Sequence, residues 1–123
     1  MAARVLYVSY DGLLDPLGQS QILPYLTGLR TLGHQITVLS FEKPARWRTG
    51  ADELRQRLDR QAIRWVPRRF TAWPPLAAKA WDLRALKRAV AAQWATGAFD
   101  FIHCRGHIPV LAALPLAREA GAP

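Results

Sequence analysis

The sequence predicts an α/β domain with a parallel sheet, and two observations carry this prediction. Short runs rich in β-branched and aromatic residues alternate with stretches whose apolar residues recur at helical spacing. The runs show little polar alternation, which is typical of strands covered on both faces of a sheet. With 123 residues, the chain is long enough for one domain and no more.

The first β-α-β unit is predicted over residues 4–41. Residues 4–9 (RVLYVS) form the first strand, residues 10–18 a glycine-containing loop and residues 19–33 a helix that stops at Gly33. The run QITVLSF at residues 35–41 is the second strand. Since such a crossover is almost always right-handed and joins parallel strands, the sheet is expected to be parallel.

The remainder of the chain continues the alternation. A capping box formed by Thr49 and Asp52 is expected to open the next helix, and Pro67 is expected to end the third strand. The predicted elements are a polar loop at 42–50, a helix at 51–61, a strand at 62–66, a loop at 68–75, a helix at 76–97, a strand at 99–104 and a last helix from 107 to 121.

Four strands and four helices in strict alternation indicate a Rossmann-like doubly wound domain with local strand order 3-2-1-4. Because the chain stops where another strand would follow, residues 1–123 are expected to form an incomplete domain. In this order the first and fourth strands are neighbours across the point where the strand order reverses. Loops 10–18 and 105–107 should therefore converge on one crevice.

The loop after the first strand lacks the common nucleotide-binding motifs. Its glycines, Gly12 and Gly18, are six residues apart, and neither G-x-G-x-x-G nor a P-loop ending is present, which disfavours ordinary NAD and ATP sites. Gly18 is expected just before a helix, where backbone N–H groups receive a phosphate or another anion. The alternative is that Gly18 serves only the turn.

Ionisable residues near the crevice offer further candidates. Asp11 and Asp15 could act as an acid and base pair or hold a cation, but solvated loop carboxylates, or an Asp-Pro turn at Asp15, are the more common explanation. Arg105 and His107 are candidates for contact with an anionic or hydroxyl-bearing ligand, whereas His103 is expected in the core. One cysteine and three scattered histidines predict no metal site.

Basic residues are concentrated in the middle of the chain. Residues 43–88 carry thirteen Lys or Arg against four Asp or Glu, within a total net charge of +8. Aromatic residues lie among them, which suits an anionic membrane surface, and Arg68, Arg69 and Trp73 are the candidate membrane-facing residues. The alternative places the aromatics in the core and the charges in solvent. Nucleic acid is disfavoured because no recognition fold accompanies the charge.

No apolar run approaches the length of a membrane span, and the first residues show no signal-peptide pattern. The chain is therefore expected in the cytoplasm, peripherally at the inner face of the plasma membrane if the basic segment binds lipid. The single cysteine, Cys104, excludes an internal disulfide.

Several segments resemble a known family. The stretches YDGLLDPLGQSQ at residues 10–21, ILPYL at 22–26, LGHQIT at 32–37 and SFEKP at 40–44 are similar to the amino-terminal domain of family-4 glycosyltransferases of the GT-B fold. Residues 4–44 carry the specific part of the resemblance. Residues 45–98 match in architecture, and residues 99–105 resemble the family's fourth strand.

The resemblance implies the acceptor side of a retaining, metal-independent sugar transferase. Its substrates would be a nucleotide-diphosphate sugar and a glycan or lipid-linked acceptor, without a cofactor. It further implies that the donor-binding domain, which carries two glutamates seven residues apart, is absent, because the only glutamates here are Glu42, Glu53 and Glu119. The chain alone is accordingly expected to be inactive.

The candidate residues for contact with donor phosphate or acceptor are Asp11, Gly18, Gln19, Arg105 and His107. Gly18 matches the family's glycine near the donor diphosphate. Many relatives have a histidine two residues after the position of His103, where this chain has Arg105, and this departs from a histidine-based role. The resemblance assigns no catalytic residue, and Arg105 and His107 are the candidates. The alternative is a non-catalytic Rossmann-like module that binds an anionic ligand or a membrane surface.

Overall fold

The computed structural model describes residues 2–71, 74–97, 99–106, 109–111 and 113–114. Its strands are β1 (Arg4–Ser9), β2 (Gln35–Glu42), β3 (Arg64–Arg69) and β4 (Phe101–Arg105). Its helices are α1 (Leu23–Thr31), α2 (Pro44–Arg60) and α3 (Pro75–Trp94), and a π-helical turn, Gly18–Ile22, precedes α1.

The four strands form one parallel sheet in the order β3-β2-β1-β4. Val5 of β1 lies opposite Ile36 on one side and Phe101 on the other, so β1 is central. The predicted fold class and strand order are thereby confirmed. The carboxyl ends of β1 and β4 lie side by side, at the point where the strand order reverses.

Helices cover both faces of the sheet, as in a doubly wound domain. Alternate residues of β1 point to opposite faces, because side chains in a strand alternate. Val5 and Tyr7 pack with α1 and α2, and Leu6 and Val8 pack with α3. This two-sided burial explains why β1 is apolar without alternation.

The helix after β1 contains an irregular turn with an identifiable cause. Helical backbone begins at Pro16, and the Leu23 N–H bonds to the Gly18 carbonyl, five residues earlier. Pro24 follows this π turn, and its missing N–H disrupts the ordinary hydrogen-bond ladder. Gly33 ends the segment with φ of +95°, as predicted, but Leu32 lies beyond α1 and is 74 % exposed rather than on the buried face.

The predicted start of α2 is wrong. This helix begins at Pro44, a position where proline is favoured because the first helical residue needs no N–H partner. Thr49 therefore lies inside the helix, where its hydroxyl bonds to the Arg46 carbonyl, and it forms no capping box. Glu42, predicted in a polar loop, is instead the last residue of β2 and is buried.

The predicted end of the third strand is also wrong, since β3 runs through Pro67 to Arg69. Proline is tolerated there because β3 lies at the edge of the sheet. Arg68 and Arg69, predicted in a loop, are exposed strand residues.

The helix α3 buries a face centred on Leu86 and Val90 that also includes Asp82. Ala80 and Lys87 are exposed. Residues 109–111 and 113–114 are helical, as predicted for the last helix, and its predicted continuation to 121 lies outside the described residues.

Candidate functional site

The loop that follows β1 is held in place by a carboxylate from the end of β2. Glu42 is only 2 % exposed. Its Oε2 accepts the backbone N–H of Leu13 at 2.9 Å, and its Oε1 accepts that of Leu14 at 3.1 Å. Two backbone donors of a loop are thus paired with one buried charge, which stabilises a single loop conformation.

The Glu42 carboxylate also ends a hydrogen-bond chain that starts in the core. The Trp65 indole N–H donates to the Ser40 hydroxyl at 2.9 Å, and that hydroxyl donates to Glu42. Burial raises the pKa of Glu42, while the hydrogen bonds from Ser40, Leu13 and Leu14 oppose the rise. These contacts use both carboxylate oxygens, so we assign Glu42 to holding the loop.

Asp15 supports the same loop through a different set of partners. Its Oδ2 accepts the Gly12 N–H at 3.3 Å and the Lys43 ammonium. Its Oδ1 lies 3.2 Å from the Arg46 Nε, an ion pair without hydrogen-bond alignment. Asp15 thus ties the loop to the start of α2, while Asp11 faces Arg105. Asp15 is buried rather than solvated, and the two carboxylates engage different partners.

Gly18 was predicted to lie just before the helix, but this is wrong. It lies inside the first turns of the helix. A Cβ atom at this position would lie 2.2 Å from the Gly12 carbonyl oxygen and 2.6 Å from the Leu13 Cα. Only glycine permits this approach between the helix and the loop. The neighbouring Gln19 adds a hydrogen bond from its side-chain amide to the Leu13 carbonyl at 2.9 Å.

The start of the loop is anchored to α3 by Tyr10. Its hydroxyl donates to Asp82 Oδ2 at 2.7 Å, and the same oxygen accepts the Thr71 N–H at 3.0 Å. The Tyr10 ring lies 5.3 Å from those of both Phe41 and Phe70. Burial, followed by the Asp82 contact, raises the pKa of Tyr10. Asp82 is itself only 1 % exposed, so this contact belongs to the core.

Arg105 lies where the ends of β1 and β4 meet. One guanidinium nitrogen, Nη2, donates to Gln21 Oε1 at 2.7 Å, and Nε lies 3.6 Å from Asp11 Oδ2. The second contact is too long for a hydrogen bond, and Nε has no hydrogen-bond partner in the described part of the chain. The expected convergence therefore holds for Asp11 and Arg105, and it also involves Gln21, which no sequence pattern indicated.

An aromatic cluster borders this crevice on the β4 side. The His103 ring lies 4.8 Å from that of Tyr7 and 5.3 Å from that of Tyr25. Burial lowers the pKa of His103 and raises that of Tyr7, where the nearby Arg105 guanidinium opposes the rise. His103 is half-buried beside these rings, rather than enclosed in the core as predicted.

Arg68 and Arg69 lie on β3, outside the Arg105 crevice. The candidates His107 and Trp73 lie outside the described residues.

Glu42, Tyr10 and Asp82 position the loop and were missed, since nothing in their local sequence distinguishes them from solvated loop or helix residues.

Across the described ranges, no group of three or more His, Cys, Asp or Glu residues is arranged to hold a metal ion. The same ranges contain no helix with the length and apolar character required to cross a bilayer. Comparison of the chain with protein-family models, curated proteins and solved structures finds no match.

Proposed function

We propose that this chain is the acceptor-side domain of a retaining glycosyltransferase. The enzyme transfers a sugar from a nucleotide-diphosphate sugar to a glycan or lipid-linked acceptor in the synthesis of cell-surface polysaccharide or glycolipid. It acts in the cytoplasm, at the inner face of the plasma membrane. The proposal rests on the resemblance of residues 4–44 to family-4 glycosyltransferases together with one structural observation, the position of Arg105.

Arg105 supports the proposal because a sugar transfer of this kind develops negative charge on the departing diphosphate. Preorganised cations and N–H donors lower that barrier without a metal ion. Arg105 is the last residue of β4 and pairs with Ser9, the last residue of β1, so it lies at the carboxyl ends of two parallel strands, the edge at which ligands bind in open α/β sheets. Its contacts with Gln21 and Asp11 hold the guanidinium at the crevice before any ligand arrives.

Asp11 and Gln21 add hydrogen-bonding groups suited to a sugar. A carboxylate accepts hydrogen bonds from hydroxyl groups, and a primary amide both donates and accepts. Both side chains are at least partly open to solvent, so a glycan could replace water at them. The loop that carries Asp11 is fixed by Glu42 and Asp15, which limits the ordering that binding would require.

The proposal also requires a second domain that binds the nucleotide sugar and carries the paired glutamates. In this scheme the present chain binds and orients the acceptor, and Arg105 contributes part of the charge stabilisation. The chain by itself is therefore inactive. Turnover of a UDP-, GDP- or dTDP-sugar by residues 1–123 alone would contradict this division of labour.

Saturation-transfer NMR tests acceptor binding directly. The chain is mixed with octyl glycosides of glucose, galactose, mannose and N-acetylglucosamine, which represent sugars linked to a lipid. We expect transfer to the sugar protons of at least one glycoside, and its loss in Arg105→Gln. Arg60→Gln is the matched control, because Arg60 is an exposed arginine at the end of α2. Absence of transfer to every glycoside, or equal loss in both variants, would refute the proposal.

A second candidate function is favoured by the exposed surface of α3. Trp81 is 66 % exposed and lines a groove together with Arg68, Arg84 and Arg88. An exposed indole beside cations is typical of proteins that rest on anionic lipid. We therefore propose, as the alternative, a non-catalytic module that binds an anionic membrane surface through this groove.

A further inference from the structure

A cleft of about 420 Å³ lies beyond the carboxyl ends of β2 and β3, beside the first turns of α2. Its walls include Trp47 and Arg48 from α2, and Arg68 and Arg69 from β3, with Glu42 also in the lining. Neither Asp11 nor Arg105 lines it. The cleft is therefore a different place from the crevice between β1 and β4.

The three arginines around this cleft carry charge that the protein does not neutralise. Within the described residues, the side chains of Arg48 and Arg69 make no hydrogen bond or ion pair, and the Arg68 side chain makes only a 3.4 Å contact with the neighbouring Pro67 carbonyl. The carboxylate in the lining, that of Glu42, is already occupied by Leu13, Leu14 and Ser40. An anion in the cleft would relieve the repulsion among the guanidinium groups.

The start of α2 adds to the positive potential. Its first turn contains no acidic residue, and Lys43 at the cap makes no side-chain capping bond. The nearby Asp15 carboxylate is paired with the Lys43 and Arg46 side chains, so the helix amino terminus contributes part of its positive potential to the cleft. Because three arginines share the cleft with this helix end, the attraction for an anion comes from side chains and backbone together.

One wall of the cleft is aromatic. The Trp47 ring packs on Trp65 with centroids 5.4 Å apart and is still partly exposed. Pro44 and Pro67 add apolar ring surface to the same lining. A ligand that fits here carries an anionic group beside an apolar or planar one. A forked guanidinium matches phosphate oxygens especially well.

We propose that this cleft binds a phosphate ester, with the phosphate among Arg48, Arg68 and Arg69 and the ester group against Trp47. The shared chemistry is an anionic phosphate attached to an apolar or planar group, supplied either by a lipid headgroup or by a soluble phosphate ester. The site goes beyond the proposed function, because it uses none of the residues assigned to the Arg105 crevice.

The test is a titration of the ¹⁵N-labelled chain with phenyl phosphate, in which NMR chemical shifts of the backbone amides and tryptophan indoles report binding. We expect saturable shifts at Trp47, Arg48, Arg68 and Arg69, and at least a tenfold weaker affinity in the double variant Arg48→Gln, Arg69→Gln. The matched control is Arg57→Gln, Arg60→Gln, which removes the same charge from exposed positions at the other end of α2. Unchanged urea unfolding verifies that both variants fold.

A parallel experiment separates the two sources of the phosphate. Vesicles of phosphatidylcholine with phosphatidic acid are pelleted with each protein, with and without phenyl phosphate. If the phosphate comes from a lipid, the double variant Arg48→Gln, Arg69→Gln should pellet less than the parent, and phenyl phosphate should reduce pelleting of the parent. If it comes from a soluble ester, the parent should bind phenyl phosphate, and the double variant should pellet as the parent does. Absence of shifts at the cleft, or equal loss of affinity in both double variants, would overturn the proposal.

Discussion

The Leu13 backbone N–H donates to Glu42 Oε2 at 2.9 Å, and this bond connects the loop after β1 to the end of the neighbouring strand. The two residues are 29 positions apart in the chain and meet because β1 and β2 are adjacent and parallel. The bond fixes the loop that carries Asp11, on which the proposed acceptor site depends. Glu42 is thus a positioning residue for that site.

We expect Glu42→Gln to lower the free energy of unfolding by about 2–4 kcal/mol. The amide retains the shape of the side chain, but its NH₂ group cannot accept a backbone N–H, so one buried donor is left unpaired and the other loses a charged partner. Urea denaturation followed by circular dichroism measures the change. Glu53→Gln, at an exposed position of α2, is the control and should stay within about 0.5 kcal/mol of the parent. Equal stability of the two variants would contradict the role given to Glu42.

The pH dependence of stability provides an independent check on Glu42. Burial raises its pKa above the ordinary value of 4.5, so the folded state holds the proton more tightly than the unfolded state. The contribution of Glu42 to stability is therefore largest below pH 4.5 and declines as pH rises through the folded-state pKa. We expect the parent, but not Glu42→Gln, to show this decline. The titration of His103 is common to both proteins, so it cancels when the free energy of unfolding of Glu42→Gln is subtracted from that of the parent. If this difference stays constant or increases as pH rises, the pKa of Glu42 is not raised.

Two glycines in the same helical segment should respond to alanine in opposite ways. Gly18→Ala places a methyl group against the Gly12 and Leu13 backbone, and we expect a loss of about 1–3 kcal/mol or a failure to fold. Gly28→Ala meets nothing within 4 Å, and it should stabilise α1 by about 0.5–1 kcal/mol. Thermal unfolding of the parent and the two variants measures both changes in stability. If Gly18→Ala is neutral, the close approach between helix and loop is not as described.

Removal of the Tyr10 hydroxyl should destabilise the domain through Asp82. Tyr10→Phe leaves a buried carboxylate without one of its donors, and we expect a loss of about 1.5–3 kcal/mol in urea unfolding. Tyr25→Phe is the matched control, since Tyr25 is exposed and makes no hydrogen bond through its hydroxyl in the described structure. A loss of similar size in both variants would point to an effect other than the Asp82 bond.

Binding to anionic vesicles tests the α3 groove. We expect the chain to pellet with phosphatidylglycerol vesicles at low salt and less at 0.5 M salt, because counterions screen surface charges. The triple variant Trp81→Ser, Arg84→Gln, Arg88→Gln should reduce pelleting strongly while leaving urea unfolding unchanged. Equal pelleting with neutral and anionic vesicles, or none with either, argues against a membrane-binding surface.

The first strand and the parallel direction of the sheet could be predicted from sequence because their signals are local. The run at residues 4–9 matches β1 to the residue, and Gly33 marks the end of its helical segment through a positive φ. Parallel pairing then follows from the length and handedness of the crossover. These features depend on neighbours in sequence, which are visible without a structure.

The loop anchors could not be predicted because their partners are distant in sequence. Glu42 looks like the first residue of a polar loop until Leu13 and Leu14 are placed beside it. Asp82 looks like a solvated helix residue, and its burial depends on Tyr10, 72 positions earlier. A buried carboxylate is stable only where donors converge on it, and that convergence belongs to the tertiary fold.

The two boundary errors have different causes, one in the local sequence and one in the position of a strand within the sheet. The Thr49 and Asp52 spacing satisfies a capping pattern, yet Pro44 starts α2 earlier and leaves Thr49 in the helix interior. Pro67 would end a central strand, whereas β3 is an edge strand and tolerates it. Position in the sheet thus decides what a proline does.

The most direct test of the account is a chemical-shift titration of the ¹⁵N-labelled chain with the octyl glycoside that gives the strongest saturation transfer. We predict saturable shifts concentrated at Asp11, Gln21 and Arg105, with affinity at least tenfold weaker in Arg105→Gln and unchanged in Arg60→Gln. Shifts confined to another surface, or an affinity that Arg105→Gln leaves intact, would contradict the claim that the crevice between β1 and β4 is an acceptor site.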